Sequence, residues 1–560
     1  MSILLCHCLP IARGRRFRGK RLYRSADDTF SEAYTMAQQQ RMGGQPMFIL
    51  NEDSQRTEGR DAQSSNIMAG KAVAESVRTT LGPRGMDKML VDSGGEVVIT
   101  NDGATILEEM DIEHPAAQMI VEVSETQEAE VGDGTTTAAV IAGNLLAEAE
   151  DLLEQDVHAT TIVEGYHEAA RIALDAIEDQ VLDVEVDDEL LAQVGKSSMT
   201  GKGTGGLTPA ELAETVVTAI GHVADDDRVR RDDVSVYTQV GASSSATELV
   251  EGIVLDEEPA NDAMPSTVED ADIAILDVAL EIQTGEIDAE YAIDSIDQLN
   301  AALDAEESEL RGYAEEIVDS GVDVVFNTDD VDDRVASFLA NEGVLVFEGL
   351  GNSDARKIAS ATGARRVGAL EDLDAEDFGH ADRIRTDSYG DDDLAFVEGG
   401  AAAEAVTVFV RGGTDHIVDE LERAVGDALD VVATARESGE VVPGAGASEI
   451  AIADRIRSKA AGIEGRSQLA VNAFADAIDV IPRTLASNTG RDPIDTLVDL
   501  RAEHESEGRA GLVTDGETVT IADPVEHGVV DPADVKREAI ESAAEAATMI
   551  ARIDDVIAAE

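Results

Sequence analysis

The sequence predicts a multidomain α+β chain, in which a helical body drawn from both ends encloses an inserted α/β unit. Three observations predict it. Apolar residues recur at helical spacing early in the chain, in 65–80, 115–128 and 135–155, and again late, in 415–438, 446–475 and 535–550. Between about 255 and 405 the pattern changes to short apolar strands alternating with helices. A length of 560 residues suggests about three or four domains, and a hydrophobic content of 43% supplies the cores they need.

Taken in order, residues 1–35 stand apart. Arg13, Arg15, Arg16, Arg18, Lys20, Arg21 and Arg24 make them basic, whereas the rest of the chain is acidic. They read either as a targeting arm or, preferably, as an over-extended start with Met36 as the first residue. Both cysteines, Cys6 and Cys8, fall here, so no disulfide framework holds the fold. With no second ligand pair nearby, Cys6-His7-Cys8 is not expected to bind metal.

The helix over 65–80 carries Ile67, Met68, Ala72, Val73 and Val77, and Leu81-Gly82-Pro83-Arg84-Gly85 breaks it. Residues 89–100 read as a hairpin turning at Ser93-Gly94-Gly95. Residues 185–255 are mixed, with a glycine-rich stretch at 200–206. Ile273-Ala274-Ile275-Leu276, Val322-Asp323-Val324-Val325-Phe326 and Val344-Leu345-Val346-Phe347 then look like buried strands.

The charge excludes some partners. With 117 Asp and Glu against 42 Lys and Arg, the net charge is −75, and such a surface repels nucleic acid. No apolar run is long enough to span a bilayer. Because the apolar positions stay periodic, the acidity reads as a folded protein working in concentrated salt, where screening weakens self-repulsion.

Among residues that could carry chemistry, Gly132-Asp133-Gly134-Thr135-Thr136-Thr137 opens a helix. Its glycines can turn successive N–H groups inward as a phosphate cradle, and Asp133 can hold the Mg²⁺ that phosphates bring. An ordinary Asp/Thr helix cap explains the same residues equally well. Gly195-Lys196-Ser197 is not a Walker A loop, since Leu190 stands where the first glycine must be. Asn101-Asp102-Gly103 alone reads as a turn, and Asp427 alone as a solvated helix residue. Val442-Pro443-Gly444-Ala445-Gly446 is a glycine turn before a helix, which could let a nucleotide approach the backbone.

In this order the pieces resemble group II chaperonins, the thermosome family, of halophilic type, over essentially all of 36–560. Leu81-Gly82-Pro83-Arg84-Gly85-Met86-Asp87-Lys88, Thr100-Asn101-Asp102-Gly103-Ala104-Thr105-Ile106-Leu107 and residues 131–137 carry the resemblance most specifically. Met199-Thr200-Gly201-Lys202-Gly203, Arg411-Gly412-Gly413-Thr414, 488–495 and 547–555 agree with it. The resemblance implies a helical equatorial domain, 36–186 with 446–560. It implies an intermediate domain, 187–254 with 406–445, and an apical α/β domain with a built-in lid, 255–405. It further implies an ATP-hydrolysing chaperone in the cytoplasm, with ATP and Mg²⁺ as cofactors. Like or paralogous subunits would form a double ring that encloses unfolded clients.

Residue by residue, the resemblance makes Gly82 and Pro83 part of the phosphate-side loop, with Gly103 and Gly132 near it. Asp133 becomes the Mg²⁺ ligand and Gly134, Thr135, Thr136 and Thr137 the cradle. Asp102 and Asp427 become the pair that positions and deprotonates the attacking water, Lys202 the γ-phosphate sensor, and Gly446 and Asp531 nucleoside contacts. The region from Asp294-Ser295, with Ile293, Ile296, Leu299 and Leu303, would form the lid protrusion.

The chain departs from the family pattern at Ala445, where glycine is usual. It departs again at Asp256-Glu257-Glu258-Pro259-Ala260-Asn261-Asp262, which lacks the usual basic residues, and in having no glycine- and methionine-rich tail. These departures keep open a rival class, a divergent structural subunit of a mixed ring with weak or no ATPase. A ligase or kinase would need a small-substrate pocket that the sequence does not reveal.

Overall fold

The computed structural model describes residues 55–558, apart from 92–93, 96, 226–227, 283–295, 391, 402–404 and 515–517. The basic segment 1–35, with Cys6 and Cys8, lies outside the described residues, as do Ser93 of the hairpin turn and Ile293, Asp294 and Ser295 of the expected lid. Chain contacts separate 1–57 with 557–560 from a larger unit, 58–556. That larger unit holds three hydrophobic cores and a small fourth one.

The first core is helical and joins the two ends of the chain. Arg60–Val77, Pro115–Val131, Thr135–Glu154 and Ala159–Glu178 pack with Ala447–Ala460, Ser467–Ile478 and Ala533–Ala551. Small residues set the spacing: a Cβ on Gly143 would stand 2.2 Å from that of Ala74. Thr135–Glu154 is the central helix, buried on every side through Ala138, Ala139, Val140, Ile141 and Ala142. The helix expected over 65–80 starts earlier, at Arg60, and tightens to a 3₁₀ turn at Arg78–Thr80. The single helix expected over 446–475 is two, because Gly462 and Gly465 interrupt it and Gly465 takes φ +85°. Asp415–Ser438 has the expected bounds.

The second core belongs to the inserted α/β unit. Leu345–Phe347, Val324–Asn327 and Thr267–Leu276 lie parallel, with Val324 opposite both Ile273 and Leu345. Gly379–Tyr389, Asp392–Gly400 and Gly252–Leu255 continue the sheet antiparallel, and Arg366–Val367 pairs with Thr267–Leu276. The three expected strands are therefore neighbours, and the apolar runs Ile273–Leu276, Val324–Phe326 and Leu345–Phe347 reflect burial on both faces. In the region of the expected lid protrusion the helix Ile296–Ser320 runs through Val318. Leu303 is half exposed, while the side chains of Ile296 and Leu299 lie outside what is described. The acidic segment 256–262 is lashed to this sheet by backbone: Ala260 donates to Val346 O at 2.8 Å.

The third core packs Asp188–Ser198, Pro209–Val223 and Asp415–Ser438 on the three-stranded sheet of Val234–Val240, Val406–Gly412 and Glu248–Val250. Val131, Val441, Val530 and Val535 reach into it from the helical body. A fourth core of Val250, Val254, Leu394, Phe396 and Phe409 joins the two sheets. There Phe409 meets Phe396 edge-on, with centroids 5.7 Å apart.

Candidate functional site

Where the first and third cores adjoin, a cavity of about 270 Å³ opens. Two helices point their N-termini into it. Thr135–Glu154 begins after Gly134 (φ +83°) and Ala447–Ala460 after Gly446 (φ +81°), and neither cap supplies a side chain to the first-turn amides. At the second helix Ala447 N–H already donates to Gly444 O at 3.1 Å, so the first-turn amides open to an anion are chiefly those after Gly134, and both helix dipoles favour one. The contrast is the surface helix Pro209–Val223, where Thr208 and Glu211 form a complete capping box.

The rest of the wall comes from distant parts of the chain. Gly82 and Pro83 lie beside the loop that follows Asp188–Ser198; a Cβ on Gly201 would stand 2.7 Å from Gly82 O. Asn101 Nδ2 donates to Gly201 O at 2.7 Å and pins that loop. Gly103 is compelled by packing, since a Cβ there would meet Thr136 Oγ1 at 2.3 Å and Thr136 N at 2.9 Å. Antiparallel pairing of Val441–Pro443 with Val530–Pro532 sets Val442 opposite Asp531 and so brings the 443–446 turn to Asp531. Ile481, Leu485, Leu512, Val513 and Val529 make the apolar part of the wall.

The charges are concentrated and buried. Asp102 caps Gly103–Glu108, accepting from Thr105 N at 2.7 Å, and lies 3.5 Å from Thr135 Oγ1. Asp133 accepts from Gly134 N at 2.7 Å, while Gln127 Nε2 donates to its backbone carbonyl at 2.7 Å. Burial pushes the Asp133 carboxyl above its ordinary value, with Lys202 opposing. Lys202 makes a direct ion pair with Asp427, both largely buried. Burial alone would lower the Lys202 ammonium, but Asp427, Asp133 and Asp102 together hold it above the usual lysine range. Asp427 is pushed up to about 6 by burial, with Lys202 opposing and Asp102 adding.

The structure thus brings Gly82, Pro83, Asp102, Gly103, Asp133, Gly134, Thr135, Thr136, Thr137, Lys202, Gly446 and Asp531 onto one wall. Asp427 stands behind Lys202 rather than on the wall. Gly132 lies off it too: it is the left-handed C-cap of Pro115–Val131, packed so that a Cβ would meet Asp430 at 2.2 Å. Ala445 lines the cavity and takes φ +56°, the conformation glycine adopts freely. Lys196 and Ser197, set aside as a chance triplet, border the cavity from the last turn of Asp188–Ser198.

Sequence reasoning missed three charged residues. Glu128 lies one turn before Gly132 and is pushed up to about 8, first by burial and then by Asp427 and Asp102. Lys536 lies 2.9 Å from both Asp531 and Glu449. No local motif marks any of them, because each looks like an ordinary charged helix residue.

The wall fits a nucleotide with its metal. Asp133, a half-buried carboxylate, shares the wall with the hydroxyl of Thr135 and the carboxylate of Asp102, and oxygen donors of this kind suit a hard divalent cation. Among the described residues no three His, Cys, Asp or Glu side chains converge as a ready-made metal cage. A cation here would therefore share one carboxylate with phosphate oxygens and water, as Mg²⁺ commonly does.

A family profile described as the TCP-1/cpn60 chaperonin family matches residues 73–560. Thermosome subunit 3 of Haloferax volcanii is 68% identical over 518 residues, covering 92% of this chain and 99% of the relative. Thermosome subunit 1 of the same organism is 55% identical over 518 residues, covering 92% of each. Thermosome subunit alpha of Halobacterium salinarum is 52% identical over 526 residues, covering 94% of this chain and 93% of the relative.

Proposed function

This chain belongs to the TCP-1/cpn60 chaperonin family, and we propose from that premise that its cavity binds Mg-ATP and that hydrolysis there drives closure of a double-ring folding chamber. The chain is a chaperone subunit with ATPase activity of the thermosome type. The observation that carries the reading is the meeting of two glycine-capped helix N-termini on a cavity whose wall includes Asp102, Asp133 and Lys202.

The residues divide the work. The first-turn amides after Gly134, with Thr135, Thr136 and Thr137, cradle the phosphates, while Gly82, Pro83 and Gly103 let backbone approach them. Asp133 would hold Mg²⁺, which neutralises phosphate charge when bound. Gly446, Asp531 and the apolar wall take the nucleoside. Lys202 reaches the terminal phosphate, and in doing so releases Asp427 from their ion pair. Asp427, with a proton affinity near neutral, then accepts a proton from the attacking water that Asp102 helps to orient.

The separate cores support the division into an equatorial domain (36–186 with 446–560), an intermediate domain (187–254 with 406–445) and an apical domain (255–405). Two of the relatives, subunits 1 and 3, come from one organism, which supports rings of mixed composition. No helix among the described residues is long and apolar enough to cross a membrane, and we place the protein in the cytoplasm with unfolded proteins as clients. The rival reading, a subunit without hydrolysis, leans on Ala445, yet the turn forms with alanine in place.

Steady-state ATPase of the purified chain in molar potassium chloride tests the proposal. Turnover is expected in the parent and lost in Asp133→Ala, with weaker Mg-ATP binding. An inactive parent chain, or an Asp133→Ala variant with parent turnover, overturns the reading.

A further inference from the structure

At the nucleoside end of the cavity, one buried and two half-buried charges form a chain whose negative charges outnumber its positive one. Lys536 Nζ lies 2.9 Å from Asp531 Oδ2 and 2.9 Å from Glu449 Oε1, with side-chain exposures of 12%, 21% and 3% for Lys536, Asp531 and Glu449. Glu449 Oε2 is buried without a partner. One ammonium between two carboxylates leaves a negative charge uncompensated, which stability alone does not favour. The placement of Lys536 adds to the cost, since it stands in the first turn of Ala533–Ala551, at the positive end of the helix dipole.

The geometry gives the arrangement a purpose. Asp531 and Lys536 both line the cavity. Asp531 Oδ2 is held by Lys536, while Oδ1 has no protein hydrogen-bond partner among the described residues. Gly444 passes against the same carboxylate, and a Cβ there would stand 3.2 Å from each of its oxygens. Glu449, in the first turn of Ala447–Ala460, anchors Lys536 from the far side. The carboxylate is therefore clamped on one oxygen and open on the other.

We propose that Lys536, braced by Glu449, is a positioning residue that fixes the Asp531 carboxylate so that its free oxygen accepts a hydroxyl of the nucleotide sugar, making the site selective for ribose over deoxyribose. The proposal rests on the ATP reading of this cavity. Lys536 acts through Asp531: it sets the rotamer of the acceptor.

The test uses assembled chaperonin in molar potassium chloride, with Mg²⁺ complexes of ATP, 2′-deoxyATP and 3′-deoxyATP. The parent protein is expected to show a KM roughly tenfold higher for at least one deoxy analogue, the size of one hydrogen bond to a charged group. Lys536→Met should raise KM for ATP by about the same factor while leaving that analogue nearly unmoved, so that discrimination collapses. Lys536→Arg should restore part of it. Glu449→Gln, a milder change, should weaken discrimination in the same direction and covers the case in which Lys536→Met fails to assemble. A parent that binds all three nucleotides equally, or variants that weaken all three equally, overturn the inference while leaving the ATP site standing. A parent that binds no Mg-ATP overturns the ATP reading itself.

Discussion

The cavity and the parallel part of the inserted α/β sheet around Asn327 treat buried polar groups in opposite ways. In the sheet, Asn327 is wholly buried and fully used: its Nδ2 donates to Val278 O at 2.9 Å and Asp329 O at 2.7 Å, while its Oδ1 accepts from Val278 N. The neighbouring core is apolar, with Phe326 and Phe347 stacked at 4.8 Å between centroids. Around the cavity, Gln127 Oε1, Ser198 Oγ and Glu449 Oε2 are buried without partners. Two helix N-termini go without side-chain caps, and carboxylates crowd one lysine. An unmet buried group costs about 1–3 kcal/mol, so a fold optimised for stability alone would not gather them in one place. The parallel part of the sheet meets its buried polar groups, and the cavity leaves several unmet, as the proposed nucleotide site would.

The largest effect that could break this contrast comes from Asp427→Ala. Loss of a general base typically costs about 10²–10⁴-fold. Single-turnover hydrolysis should fall by that much, while Mg-ATP binding stays close to the parent. Parent turnover in this variant would return Asp427 to an ordinary helix residue.

Phe326→Ala should do the reverse. Removing a fully buried aromatic ring typically costs about 3–5 kcal/mol, so chemical denaturation should show the inserted unit unfolding early. Mg-ATP binding to the cavity, which shares no side chain with that core, should persist. Coupled loss of both would show that the two regions do not separate.

A pH dependence sharpens the comparison further. Glu128 has an ordinary value of 4.5 but is pushed up to about 8 in the fold by burial, Asp427 and Asp102. The folded state therefore holds this proton more tightly than the unfolded chain. Its contribution to stability is full below the ordinary value and is lost as pH rises through about 8. Melting temperature should fall between about pH 4.5 and pH 8, and Glu128→Gln should flatten that fall. An equal slope in both proteins would mean that Glu128 is ionised throughout.

The smallest effect is expected at Ala445. Its φ of +56° costs an alanine about 1 kcal/mol that glycine avoids, partly offset by the greater freedom of an unfolded glycine. Ala445→Gly should raise the melting temperature by a few degrees at most and lower KM for ATP slightly, as titration of both proteins would show. A destabilised Ala445→Gly would mean that the methyl contributes packing against Gly511.

The sequence by itself determined the helical ends, the inserted sheet and most of the cavity wall, because periodicity and glycine placement are local properties. The strand at Ile273–Leu276 announces itself by four apolar residues in a row, and glycines on either side of Asp133 mark the helix start proposed as a phosphate cradle. Family resemblance then linked motifs that no spacing rule could join. Only tertiary structure decided what depends on neighbours far along the chain. Glu128 and Lys536 read as ordinary helix charges until burial and surrounding carboxylates shift them. Gly132 shares a motif with the cradle residues, yet it packs against Asp430 because it closes Pro115–Val131 as a left-handed C-cap. Asp427 meets Lys202 across more than two hundred residues because Asp415–Ser438 packs on Asp188–Ser198. Charge burial depends on the whole fold, and it is burial that distinguishes the working carboxylates here from the acidic surface around them.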